Sequence, residues 1–84
     1  MAGLELLTGN QRLSIMQCED MAKDLGFDKM TFDLVGPTGK LKCQWLDAYF
    51  GMFKIIEPGQ ESEGFIMSKQ LAYASDLYCE NLSI

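Results

Sequence analysis

The chain has 84 residues and a formal net charge of −5, with 48% hydrophobic and 23% charged side chains. This composition predicts a single compact domain over residues 1–84 and excludes an intrinsically disordered chain. The sequence contains no histidine, so a Ser-His-Asp or Cys-His catalytic arrangement cannot be built from it. We therefore predict that the protein is not an enzyme.

The spacing of the cysteines argues against two further classes of protein, those with a zinc site and those with a redox motif. Cys18, Cys43 and Cys79 form no CxxC pair, which argues against a zinc ribbon or a thioredoxin-like motif. We expect three buried free thiols, no metal site and no cofactor. Acidic groups such as Asp20 with Asp24 are interpreted as solvated surface rather than metal ligands.

The expected partners follow from the charge distribution. Arg12 is the one arginine, too little basic charge for neutralising phosphates, so we expect no nucleic acid. Residues 43–84 hold six acidic and two basic side chains, which favours a protein partner with a basic surface. No basic segment precedes the short apolar run at the N-terminus, and no stretch approaches the ~20 apolar residues of a membrane span. We expect a cytoplasmic protein without membrane contact.

The first predicted element is a helix over residues 10–25, with a cap at Thr8 or Asn10. Gly26 follows the last periodic residue and suits a left-handed helix end. The apolar residues that share one helix face are Ile15, Cys18, Met21, Ala22 and Leu25.

A β-hairpin is predicted next. Alternating residues direct Met30, Phe32 and Leu34 inward, and the Gly36–Gly39 segment has the composition of a turn. A bend or bulge is expected between Asp47 and Gly51. The predicted strands cover 29–35, 40–48 and 52–57, and 64–67 is a candidate for a short fourth strand.

The last predicted element is a helix over residues 68–82, capped by Ser68. Its expected buried stripe comprises Met67, Leu71, Ala74, Ser75, Tyr78 and Leu82. The order α-β-β-β-(β)-α predicts an α+β two-layer sandwich, an antiparallel meander with the N- and C-terminal helices on one sheet face.

Surplus apolar residues suggest a contact surface. Large apolar side chains are concentrated in residues 45–56 and are expected on both strand faces, while two helices would cover only one face. We therefore expect a homodimer built through the uncovered aromatic face. The alternatives are a sheet that curls and buries both faces, or a strand register shifted by one residue. The candidate interface or pocket residues are Trp45, Tyr49, Phe50, Phe53, Ile55, Leu13, Met16, Tyr73 and Leu77.

Two non-enzymatic hypotheses follow, and the third alternative is a minimal enzyme that uses Asp, Glu or a Cys thiolate. The first is a small acidic, non-enzymatic interaction protein that self-associates, of the accessory kind that phages and integron cassettes carry. The second is a small-molecule-binding protein with an apolar pocket between sheet and helices. That pocket would be lined by Trp45, Tyr49, Phe53 and Met52, with Cys43 nearby.

Overall fold

The structure is a computed structural model that describes residues 12–26, 29–47, 51–61, 64–72 and 74–83. Its strands form a five-stranded antiparallel sheet in the order β4-β3-β2-β1-β5. The predicted α+β class with an antiparallel sheet is confirmed. The elements are α1 (Ile15–Leu25), β1 (Thr31–Gly36), β2 (Gly39–Asp47), β3 (Met52–Ile55), β4 (Ile66–Met67), α2 (Ser68–Leu71) and β5 (Tyr78–Ser83).

Helix α1 has well-defined ends. The Ser14 hydroxyl accepts a hydrogen bond from the Gln17 backbone N–H at 3.1 Å, and the Gln17 side chain accepts one from the Ser14 N–H at 2.9 Å. This reciprocal pair satisfies two N–H groups that the helix start would leave unpaired. Gly26 has a φ of 71° and its N–H reaches the carbonyl of Ala22. The predicted stop at Gly26 is confirmed.

The predicted helix start at residue 10 is wrong for the described residues 12–14. The Leu13 N–H donates to the Cys79 carbonyl at 2.8 Å, and the Cys79 N–H donates to the Leu13 carbonyl at 2.7 Å. Leu13 is therefore extended and adds a bridge to the outer edge of β5. The caps considered at Thr8 and Asn10 lie outside the described residues.

The β1–β2 hairpin is confirmed. Phe32 lies opposite Cys43, and Gly36 lies opposite Gly39 across the turn. The inward-facing Met30, Phe32 and Leu34 are all buried. The pairing of β2 with β3 shifts register between Trp45 and Asp47, where the predicted irregularity begins.

The predicted C-terminal helix over residues 68–82 is wrong beyond Leu71. Helix α2 is a single turn, and Tyr78–Ser83 forms β5 against β1. Ser68 is the first residue of α2 rather than its cap, which is Met67.

A bulge in β5 explains the error. Asp33 lies opposite Glu80 and Thr31 lies opposite Ser83, so three steps along β5 match two along β1. Asn81 absorbs the extra residue with a φ of 56°, a left-handed conformation that Asn tolerates. The bulge buries both Cys79 and Leu82, three residues apart, so β5 lacks the alternation that would indicate a strand. The predicted helix face held Tyr78 and Leu82 instead, and Tyr78 is only half-buried.

The core joins α1 to one face of the sheet. Three aromatic rings occupy it: the Phe32 centroid lies 5.1 Å from that of Trp45, and the Phe53 centroid lies 5.3 Å from both. Within the described ranges, the Trp45 indole Nε1 is buried without a hydrogen-bond partner. The buried cluster comprises Leu13, Ile15, Cys18, Ala22, Met30, Phe32, Leu34, Cys43, Trp45, Phe53, Cys79 and Leu82.

Candidate functional site

Three of the predicted contact residues belong to the core. Trp45 and Phe53 have no exposed surface, and Leu13 is 5% exposed. Trp45 lies directly opposite Phe53, so both side chains emerge on the same, inner face of the sheet. The expectation that these three residues form an exposed contact face is therefore wrong.

The remaining candidates have different environments. Met16 is 48% exposed on α1. Ile55 and Leu77 are partly buried and pack against the core. Tyr49, Phe50 and Tyr73 lie outside the described residues.

The apolar pocket expected around Trp45 and Phe53 is not open at that position. Both side chains and that of Cys43 are fully buried in mutual contact with the core cluster. Met52, also expected to line it, is half-buried on β3. A cavity does exist, and it lies at the other end of the hairpin.

This cavity, called the hairpin cavity below, has a volume of about 470 Å³. It lies between the β1–β2 turn, the loop after β3 and the residue preceding β5. Its lining residues are Leu34, Gly36, Pro37, Thr38, Gly39, Lys40, Leu41, Glu57, Gln60 and Leu77. Of the residues nominated from sequence that the structure describes, Leu77 alone belongs to this lining.

Leucine side chains provide the apolar part of the lining. Leu34 and Leu41 lie opposite each other on β1 and β2, and Leu77 approaches from the segment before β5. A Cβ atom at Gly36 would lie 2.9 Å from Cδ2 of Leu77. The absence of a side chain at Gly36 therefore lets Leu77 close against the strand and form this wall.

Glu57 provides the anionic group. Its Oε2 accepts a 3.3 Å hydrogen bond from the Lys42 N–H, while the Lys42 carbonyl accepts one from Ile56 at 2.8 Å. The Glu57 carboxylate thus takes the place of a strand partner for β2 just beyond the end of β3. A turn in which the Gln60 N–H donates to the Glu57 carbonyl at 2.9 Å fixes the backbone there.

The three cysteines are free and fully buried, as predicted. Burial raises the pKa of the Cys43 thiol to about 12. A hydrogen bond with Cys18, together with burial, raises the pKa of the Cys79 thiol. Both thiols are therefore protonated at neutral pH, and a protonated thiol is a poor nucleophile.

A second polar cluster joins the two helices. The Ser68 hydroxyl, on a residue only 2% exposed, donates to Glu19 Oε1 at 2.8 Å. Lys23 Nζ lies 3.3 Å from Glu19 Oε2. Gly51 closes this cluster, because a Cβ atom there would overlap both the Glu19 carboxylate and the Ser68 hydroxyl. With its acceptor and donors already paired, the cluster acts as a link between α1 and α2.

Among the described residues, no group of three or more Cys, Asp or Glu side chains is arranged to hold a metal ion. In the same ranges, no helix is long and apolar enough to cross a membrane. Comparison with protein-family models, with curated proteins and with solved structures finds no match to this chain.

Proposed function

We propose that the protein is a non-enzymatic binding protein that takes a small, partly apolar molecule into the hairpin cavity. The observation that carries this proposal is the cavity itself, a space of about 470 Å³ between three leucines and a carboxylate. Ligand sites typically enclose roughly 300–1,000 Å³, with apolar walls and a few placed polar groups. The hairpin cavity has both properties.

Binding is favoured over catalysis because of the state of the nucleophiles. The thiols of Cys43 and Cys79 have raised pKa values and lie inside the core. Free, buried thiols are also typical of a reducing compartment. We therefore propose that the protein acts in the cytoplasm.

The test is an NMR titration with small alcohols and ketones, with the leucine methyl groups as reporters. Signals from Leu34, Leu41 and Leu77 should shift with a common dissociation constant. The Trp45 signal should stay unchanged, since Trp45 is not part of the lining. No leucine shift with any compound at millimolar concentration would contradict the proposal.

A matched pair of glycine variants localises the site. Gly36→Ala places a methyl group against Leu77 and should push that side chain into the cavity, weakening binding about tenfold or more. Gly64→Ala adds the same methyl group at a position where no atom of the described residues lies within 4 Å of the new Cβ. Binding to Gly64→Ala should equal that of the wild type.

Self-association is a second candidate function, favoured by one observation. Phe65, next to β4, is 65% exposed, and large exposed aromatic side chains are enriched at contact sites. In this proposal, a homodimer forms through Phe65 rather than through the buried aromatic residues. Sedimentation equilibrium of the wild type and Phe65→Ser tests it, with Met16→Ser as the control at another exposed position. A monomeric wild type at millimolar concentration would exclude it.

A further inference from the structure

We infer that the molecule bound in the hairpin cavity is an amphipathic amine, with an apolar body on the leucines and its N–H donors on Glu57. This inference rests on the proposed binding function. It adds the chemical class of the ligand.

The first step is the direction of the Glu57 side chain. Phe53, Ile55 and Glu57 alternate along β3 and its extension, and Phe53 faces the core. The hydrogen bond from Ile56 to the Lys42 carbonyl shows that this extended pairing continues one residue beyond β3. Glu57 directly follows this last paired residue and lines the cavity together with Leu34 and Leu41.

The second step is the remaining hydrogen-bonding capacity of Glu57. A carboxylate has about four acceptor positions. The contact described for Glu57 is with the Lys42 N–H at Oε2, which leaves acceptor positions for a ligand. Since Glu57 is half-buried, a cationic donor there would form a charge-assisted bond partly shielded from water.

The third step concerns the opposite charge. Lys40 also contributes to the lining, but it is exposed and alternates with the inward-facing Leu41 on β2. The other polar side chains of the lining, those of Thr38 and Gln60, are uncharged. The inner, apolar side of the cavity therefore has a negative group and favours a cation over an anion.

The experiment compares hexylamine, hexanol and hexanoate, which share one apolar chain and differ in the head group. Dissociation constants are measured from leucine methyl shifts for the wild type, Glu57→Gln and Glu80→Gln. We expect the wild type to bind hexylamine about tenfold more tightly than hexanol, as one charge-assisted hydrogen bond would provide. Glu57→Gln should remove this preference, and Glu80→Gln, the same change at a half-buried residue outside the lining, should retain it.

The outcomes separate the two proposals. Unchanged hexanol binding by Glu57→Gln shows that the variant is folded and that only the head-group contact has been lost. Equal binding of hexanol and hexylamine by the wild type, or tightest binding of hexanoate, would overturn the amine inference while the cavity function stands. Absence of leucine shifts with all three probes would overturn both.

Discussion

The hydroxyl of Ser68 donates a 2.8 Å hydrogen bond to the Glu19 carboxylate and so ties the single turn of α2 to the middle of α1. Behind this bond, the Ser68 N–H donates to the Gly51 carbonyl at 2.6 Å. Gly51 has a φ of 69°, a conformation that glycine adopts without steric cost. Gly51, Ser68 and Glu19 thus connect the start of β3, the single turn of α2 and the middle of α1.

Ser68→Ala should lower the free energy of unfolding by about 1–3 kcal/mol, because it leaves a largely buried carboxylate with one fewer donor. Lys23→Ala removes the other partner of Glu19, but the Lys23 side chain is 41% exposed. Its loss should cost at most about 0.5 kcal/mol. Urea denaturation of both variants measures the difference, and equal costs would contradict the assigned importance of the Ser68 bond.

Truncation of Leu13 and of Met16 compares the stability cost at a buried and at an exposed apolar residue. Both depart from the apolar helix face expected from the sequence, yet Leu13 is 5% and Met16 is 48% exposed. Leu13→Ala should cost about 2–4 kcal/mol of stability, as truncation of a core side chain does. Met16→Ala should stay within about 0.5 kcal/mol of the wild type. Thermal unfolding monitored by circular dichroism distinguishes them, and a small effect of Leu13→Ala would place Leu13 outside the core.

Stability should fall in alkaline solution because of Cys43. An ordinary thiol titrates near 9, whereas the pKa of Cys43 in the folded protein is about 12. Between these values the unfolded chain releases a proton that the folded chain retains, so rising pH favours unfolding. The contribution of the Cys43 thiol to the free energy of unfolding is complete below pH 9. Above pH 9 it declines by up to about 1.4 kcal/mol per pH unit.

The check is urea denaturation at several values from pH 8 to pH 11, with Cys43→Ala as the control. Other groups titrate in this range in both proteins, so the difference in slope isolates the thiol. A wild-type slope no steeper than that of Cys43→Ala would contradict the prediction.

The buried indole N–H of Trp45 lowers the free energy of unfolding, and a substitution can remove that N–H. Its indole N–H is buried without a partner among the described residues, and such a group costs about 1–3 kcal/mol. Trp45→Phe loses ring atoms but also removes this group, so its net cost should be below about 1 kcal/mol. Phe53→Leu removes a similar number of atoms and relieves nothing, so it should cost about 2 kcal/mol. Calorimetry of both variants measures these costs, and a larger loss for Trp45→Phe would show that the indole N–H is satisfied in solution.

Local sequence determined the hairpin but not the C-terminal segment. At the hairpin, strict alternation and the Gly-Pro-Thr-Gly turn of residues 36–39 indicate the same structure, so the burial of Phe32 and Leu34 is predicted correctly. In β5, the bulge at Asn81 interrupts the alternation of buried and exposed residues, so the sequence lacks the pattern of a regular strand. The strand forms because β1 has an edge to be paired, which is a long-range property of the sheet.

The site was harder to predict than the fold, for two physical reasons. Trp45 and Phe53 lie opposite each other and are fully buried, and the face that a strand residue occupies depends on the pairing register, which a short sequence pattern does not determine. The hairpin cavity combines side chains from distant segments, such as Leu34, Glu57 and Leu77. Among the described candidates, the sequence indicates Leu77 alone, because no local pattern marks residues that meet through tertiary contacts.

The lateral margins of the sheet restrict how a second chain can approach. On one side, the backbone of Leu13 occupies β5 at Cys79. On the other, β4 is two residues long, and the Met67 N–H that points away from β3 donates to the Gln70 side chain at 3.3 Å. Backbone pairing by a second chain is therefore obstructed at Cys79 on one margin and at Met67 on the other. At these two positions the outward backbone groups already have partners within the chain, so an added strand could not extend the backbone hydrogen-bond ladder there.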